Sequence, residues 1–555
     1  MKRWQTILLW GGVVFGIAAA AGGCFTRAAA ALLSLLPRSY GHYILGGERT
    51  ALHARVLGIY MGLVIAAACG FVLLYRHWRR RPDFAFLRTG RGKLLFVLLA
   101  VLALLLLSLS VNRVFWDDEI EHVHASWYVH HGQVPFRDFF EHHHPLLWFL
   151  LAPLVSIFNE GLAVLAAARL LMLLLAAGIA WLTWRIGRLA GGSVETGLLT
   201  VALLFTQSMF IPCVMEVRPD VPMVFLALAA VERLLVHLRD GRLAALLAAA
   251  FLAAASFLFL QKAIFLIAAM IAWLAVRALS GKVRLCHLAL AAAIFLLPLL
   301  AFFAWLAARG ALGDYVLCNW LLNAKRQAAY PLWLDVGRLF LVNIVFWLSL
   351  PPALVQALRP RSSSAALKVV AALGAAALAA LVLLPNPADR HFLLALPLAC
   401  IVVGGWAGER SRFPLRGRWR AIYLSALLAL PLPFLAMHGF PLNGAQLEKI
   451  GYVLRHAAPG DRVLDGRNDF NLFRPDLHYF WFQLDPGEML DTYRRLRRGP
   501  RSEYDPCSLV RAQKPRFISL DGWEWADCDV WRDYVLSPYP GLLSRGSPPA
   551  PGRPR

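Results

Sequence analysis

Apolar residues along this chain gather into long unbroken runs, and charged residues gather in the short links between them. A run of about 18 residues or more with almost no charge is long enough to cross a bilayer as a helix. About thirteen such segments can be read, at roughly 6–23, 52–75, 92–111, 163–186, 196–211, 217–238, 243–260, 263–280, 287–308, 338–358, 366–385, 391–408 and 421–439. The short alternating segments of a membrane barrel are not seen. The pattern predicts a polytopic α-helical membrane protein.

The links give the direction of each span. The basic ones are "RHWRRRPDFAFLRTGRGK" (76–93), "RIGR" (185–188), "HLRDGR" (237–242), "RALSGKVR" (277–284), "RPRSSSAALK" (359–368) and "ERSRFPLRGRWR" (409–420). An alternating count puts all of them on one side, which the positive-inside rule makes the cytoplasm. The other side receives 24–51, a loop at 112–162, the turns at 212–217, 261–262 and 386–391, the loop 309–337, and everything after about 440. The N-terminus is then cytoplasmic and the C-terminal region extracytoplasmic. The start, "MKRWQTILLWGGVVFGIAAAAGGC", has the charged head and apolar run of a signal peptide. With many spans following, an uncleaved first span is expected.

Composition adds little to this and removes one class. The chain is 59% hydrophobic and 16% charged, against about a quarter charged for soluble domains. Its net charge of +23 comes from arginines in the links, so topology accounts for it and no nucleic-acid partner is expected. Eight cysteines are scattered without a CxxC pair. Only Cys507 and Cys528 fall in the polar C-terminal region, where they could pair if it lies outside the cytoplasm.

The chemistry concentrates in "FWDDEIEHVHASWYVHHGQVPFRDFFEHHHPLLWFL" (115–150). This stretch holds Asp117, Asp118, Glu119, Glu121, Asp138, Glu141 and seven histidines. "DDEIEHVHASWYVHHG" reads as a helix with acids in its first turn and Gly132 at its end. "QVPFRDFFEHHHP" reads as an extended turn. "PLLWFLLAPLVSIF" (145–158) is apolar but short, and suits the membrane interface. Asp117 and Glu121 share a helix face, as do Asp118 and Glu121, and like charges that close favour a general base. The plainer reading is a solvated helix with capping acids. "EHHH" (141–144), with His122 and His124, could supply metal ligands, although HExxH is absent and a membrane metalloprotease is not supported.

Outward cations are few. "MEVRPDVP" (215–222) places Glu216, Arg218 and Asp220 at one span's end, Lys262 sits in a turn, Lys325 and Arg326 in a loop, and Arg390 and His391 open another span. Each could snorkel to headgroups. Together they could hold one anion at membrane depth, and a lipid phosphate suits them. Beyond 440 the pattern changes. "DRVLDG" and "PRFISLDG" read as short strands and "EMLDTYRRLRR" as a helix, which predicts a small α/β domain with the disordered tail "RGSPPAPGRPR".

The motif "WDDEIEHVHASWYVHHGQVPFRDFFEHHHPLL" resembles the first loop of the GT-C membrane glycosyltransferases. The similarity is to the family 39-like branch, which includes protein O-mannosyltransferases, aminoarabinose transferases and rhizobial core transferases. "RPD" (218–220), "QKAIFL" (261–266) and "ADRHFLLALPL" (388–398) are similar to later pieces of that pattern. The resemblance covers about 91–440. It implies an inverting transfer of a sugar from a polyprenyl-phosphate donor to a glycan, lipid or protein acceptor on the outer face. It implies Asp118 as base, with Asp117 competing, and Glu119 and Glu121 in support. It further implies Arg218, Lys262 and Arg390 as phosphate contacts, with Asp220, His391, Asp138, Glu141 and His144 as further candidates for binding substrate. No cofactor is required by the pattern, and a divalent metal is left open. The expected layout is two additional N-terminal helices (1–90), a GT-C membrane domain (91–440), an α/β domain (441–545) and a tail (546–555), in a bacterial inner membrane among its lipids. A transporter or flippase would want charges buried in mid-span and broken helices in matched halves. A non-catalytic binder of polyprenyl-linked sugars is the other alternative.

Overall fold

A computed structural model of the chain describes residues 12–14, 49–325, 332–359, 364–381, 389–408, 413–437, 443–481, 489–497, 499, 503–519 and 532–546. The predicted first span (6–23) lies outside these residues apart from 12–14, and so do Arg326, Cys528 and the tail beyond 546.

The predicted spans from 52 onward appear as helices: α1 (Arg49–Trp78), α2 (Gly90–Asn112), α5 (Ala163–Leu189), α6 (Val194–Phe205), α8 (Asp220–Asp240), α9 (Leu243–Phe259), α10 (Ala263–Leu279), α11 (Leu285–Ala308), α12 (Ile344–Leu358), α13 (Ala365–Ala380), α14 (Leu396–Gly408) and α15 (Gly417–Ala429). Four of them, α2, α5, α8 and α11, are long and apolar enough to cross a membrane by length and composition. Between α2 and α5 stand α3 (Asp117–His130) and α4 (Leu146–Ile157), and α7 (Phe210–Met215) precedes α8. Gly132 follows α3 with φ +79°, the left-handed conformation that ends a helix at little cost to glycine. The short α4 exposes Phe149, Leu150 and Ile157 on one side and buries Leu147, Trp148 and Leu151 on the other, as an interfacial helix would.

Two predicted spans are interrupted, and one residue holds both breaks. The segment predicted at 196–211 stops at Phe205, and α7 resumes at Phe210. The segment predicted at 338–358 bends by 86° between Val342 and Ile344. Asn343, at that bend, accepts from Ser208 N at 2.8 Å and donates to Thr206 O at 3.0 Å. Backbone groups freed inside a membrane need such partners, and here the side chain supplies them. Elsewhere α14 lies tightly against α6: a Cβ at Gly404 would stand 2.4 Å from Thr200 Oγ1, and one at Gly408 would stand 2.9 Å from Thr196 Oγ1. Small residues four apart allow this approach.

The C-terminal region builds α16 (Gly444–His456), α17 (Met489–Leu496), α18 (Pro506–Gln513) and a four-stranded sheet in the order β1-β2-β4-β3. The two predicted strands, β1 (Val463–Leu464) and β2 (Phe517–Ser519), run parallel, and β4 (Leu542–Arg545) joins β2 and β3 (Tyr534–Leu536) antiparallel. Cys507 is disulfide-bonded. This region grips the first loop. Gln446 bonds both backbone groups of Phe115, at 2.8 and 3.0 Å. Trp481 Nε1 donates to Phe140 O at 2.9 Å, and Asp476 accepts from Tyr128 at 2.7 Å and pairs with His124 at 2.7 Å. The helix carrying the acids is therefore held near both of its own ends by the C-terminal region.

Candidate active site

Helix α3 starts with a one-sided cap: Glu119 Oε1 accepts from Trp116 N at 3.1 Å, which sets the first turn and aims successive acids in different directions. Asp117 is exposed, and its carboxylate caps the amide of Asp118 at 2.9 Å. Asp118 is buried and accepts a hydrogen bond from Arg218 Nη1. Arg390 Nη1 stands 3.7 Å from the same carboxylate oxygen. Asp220, in the first turn of α8, lies 3.6 Å from Arg218 Nε and 3.3 Å from Lys262 Nζ. Glu216 adds contacts to Arg218 at 3.8 Å and Arg113 at 3.6 Å. His391 joins the group through its electrostatic interaction with Lys262, Asp220, Arg390 and Arg218. Burial pulls the Lys262 ammonium down to about 8, although Asp220 opposes the shift.

Four cations, Arg113, Arg218, Lys262 and Arg390, thus face three carboxylates, Asp118, Glu216 and Asp220. The N-termini of α3 and α8 add positive potential to the same place. Among the described residues the cluster is short of negative charge, and Arg390 is its most open cation, with 39% of its side chain open. Guanidinium and ammonium groups gathered in this way suit an anionic group.

The other predicted residues lie in separate surroundings. Glu119 turns inward to Arg169, which donates to both of its carboxylate oxygens at 2.6 and 2.8 Å. Arg169 also caps the end of α2, donating to Ser110 O, Arg113 O and Val114 O at 3.1, 2.7 and 2.9 Å. Glu119 Oε2 further accepts from Val217 N at 3.1 Å, beside Arg218. Asp138 accepts from Val134 N at 2.7 Å and pairs with Arg137 within its own turn. His144 Nε2 meets Tyr315 Oη at 3.2 Å. Glu121 and Glu141 lie together with His142 and His143. Arg169 and Arg113 were not among the residues expected from the sequence. Arg169 had a visible signal, since it is the one charge in "AVLAAARLLMLLLAAGIAWLTW" (163–184), and an ionisable residue inside a span marks a site or its support.

No protein-family model matches the chain, and no curated protein matches it. Among the solved structures that share its fold are two of one protein. The crystal structure of ArnT from Cupriavidus metallidurans bound to undecaprenyl phosphate superposes with a TM-score of 0.56 at 13% identity, covering 78% of this chain and 94% of that one. The apo structure of the same protein gives 0.53 at 14% identity, covering 73% and 88%. The chain is a multi-pass membrane protein with a GT-C-like fold.

Proposed function

We propose that this GT-C-like protein is an inverting glycosyltransferase that moves a sugar from a polyprenyl-phosphate donor to an acceptor hydroxyl at the extracytoplasmic face of the membrane. The observation that carries the reading is the cluster in which Asp118 meets Arg218 and Arg390 beside Lys262. The ArnT structure that shares the fold is bound to undecaprenyl phosphate, a ligand of the proposed donor class.

In this reading the donor phosphate competes with Asp118 for Arg218 and Arg390, so donor binding releases the carboxylate. Asp118 then takes the acceptor's hydroxyl proton. The acceptor oxygen bonds to the anomeric carbon, the bond from that carbon to the phosphate oxygen breaks, and the electron pair leaves on the phosphate. Arg218, Arg390 and Lys262 stabilise that departing charge. Attack opposite the leaving group inverts the anomeric centre. Asp117, exposed next to Asp118, is the alternative base, and Glu119 holds the first turn of α3 in place.

Sidedness rests on the basic links read from the sequence and on the disulfide at Cys507, since disulfides persist outside the reducing cytoplasm. The C-terminal sheet and helices then form a small extracytoplasmic α/β unit above a bacterial inner membrane. The test is transfer of radiolabelled sugar from a polyprenyl-phosphate donor by the full-length protein in lipid nanodiscs. Asp118→Asn combined with Asp117→Asn is expected to abolish transfer while the protein still inserts and keeps its melting temperature. Transfer at the unmodified rate in that double variant refutes the assignment of the base.

A further inference from the structure

At one end of the C-terminal sheet the pairing register sets three arginines in a row. Val463 pairs with Phe517, and Phe517 with Ser544. At the next position Arg516 N donates to Arg462 O at 2.7 Å, and Arg545 N donates to Arg516 O at 3.0 Å. Arg462, Arg516 and Arg545 therefore stand side by side on neighbouring strands, about 10 Å from first to last. Lys514, which follows α18, adds a fourth cation. All four line a cavity of about 800 Å³. Like charges directly opposite one another in a sheet are destabilising, so this row carries a cost.

Nothing in the lining offsets it among the described residues. Asp461 is the one carboxylate there, and its Oδ2 already accepts from Ala458 N at 2.7 Å. The guanidinium groups donate to neutral carbonyls instead. Arg516 Nη1 bonds Arg545 O at 2.7 Å and its Nε bonds His456 O at 3.2 Å. Arg545 Nη1 bonds Lys514 O at 3.3 Å, and Arg462 Nη1 bonds Asp476 O at 2.5 Å. Carbonyls aim these side chains without cancelling their charge, and each guanidinium keeps further N–H groups to give.

We propose that this pocket binds an acidic oligosaccharide, with carboxylate or phosphate groups of the sugar lying along the arginine row. Arginine matches both anions through paired hydrogen bonds. Two acceptors among the cations point to a ligand that also carries hydroxyls. Gln513 Nε2 is taken by Leu477 O at 2.8 Å, while its buried Oε1 accepts no hydrogen bond among the described residues. His456 meets Tyr452 O through Nδ1 at 2.8 Å, which leaves Nε2 of the neutral ring as an acceptor. The pocket is also tied to α3. Asp476, whose carbonyl holds Arg462, accepts from Tyr128 at 2.7 Å through its carboxylate. Naming the ligand the far end of an acceptor glycan rests on the proposed transfer; the binding itself does not.

The experiment is calorimetric titration of the full-length protein in phosphatidylcholine nanodiscs, without any donor. The probe is maltotriose oxidised at C6 to carry three carboxylates, and maltotriose is the neutral control. Saturable binding of the oxidised sugar alone is expected, weakening as salt is raised. Arg462→Gln with Arg545→Gln changes two exposed side chains and is expected to weaken binding by roughly 100-fold, about tenfold for each charge-assisted contact, at an unchanged melting temperature. Three results overturn the proposal. One is no saturable binding by the unmodified protein. Another is binding that survives Arg462→Gln with Arg545→Gln but falls in Arg390→Ala, which assigns it to the cluster around Asp118. The third is binding of short-chain phosphatidylglycerol through these arginines with no sugar bound, which makes the pocket a lipid-headgroup site. Because no transfer is measured, failure of the proposed reaction leaves this result readable.

Discussion

Asp118 and Glu119 are neighbours on one helical turn, and each meets an arginine, yet the two pairs differ in kind. Arg169 is completely enclosed and donates to both Glu119 oxygens and to three carbonyls at the end of α2. Arg218 reaches Asp118 through one nitrogen, while its other contacts, to Glu216 and Asp220, stretch to 3.8 and 3.6 Å. Arg390 reaches the same carboxylate from a partly open position. The first pair is closed, and its geometry leaves nothing to exchange. The second sits in a group with surplus positive charge, where an entering anion can displace a carboxylate. A buried ion pair adds little net stability by itself but is costly to break, so the closed pair acts as a structural pin, and the open one is the pair the proposed donor would compete for.

The contrast can be broken most severely at the open pair. Asp118→Asn alone is expected to lower turnover by roughly 10²–10⁴-fold, as loss of a general base does, with the melting temperature preserved; labelled-sugar transfer and thermal unfolding read the two effects. At the closed pair the expectation reverses. Arg169→Met strands the buried Glu119 carboxylate and should cost about 3–5 kcal/mol, seen as a large fall in melting temperature, while the paired change Arg169→Met with Glu119→Gln should recover part of it. A small stability loss in Arg169→Met would show that the pair is not the pin described.

Arg390→Ala sharpens the difference more gently. It removes one charge-assisted contact to the proposed donor, so KM for a polyprenyl-phosphate sugar should rise by roughly 10–100-fold with stability little changed. The smallest effect is one of pH. The Lys262 ammonium, held near 8 by burial, is charged below that value and neutral above it. Attraction for an anionic donor is then present at lower pH and lost as pH rises through about 8, so kcat/KM should fall there by up to about tenfold per unit. Lys262→Arg, cationic throughout, should flatten that decline.

Much of this was legible in the chain. The long apolar runs placed the helices, because a segment in lipid must satisfy its backbone internally and carry an apolar surface. The helix at 117–130 followed from its acidic first turn and Gly132, and the two strands near 463 and 517 from short apolar stretches that each end at Asp-Gly. The sequence suggested that Arg218, Lys262 and Arg390 share an anion, and the resemblance implied Asp118 or Asp117 close by; the structure brings Asp118 to Arg218 and Arg390, beside Lys262. Less visible were the interruptions at 206–209 and 343, because an apolar run reads as continuous whether or not its helix turns.

What the sequence by itself determined is the set of elements and the surfaces they must bury, since periodicity and hydropathy are properties of neighbours along the chain. Only the tertiary structure decided which acid meets which cation. Asp118, Glu119 and Glu121 share one short helix, but rotation of about 100° per residue sends them to three different partners: an open arginine cluster, a sealed arginine, and a second carboxyl group with two histidines. Those partners lie up to 272 residues away along the chain, at Arg390, and no local pattern encodes a contact made across that distance.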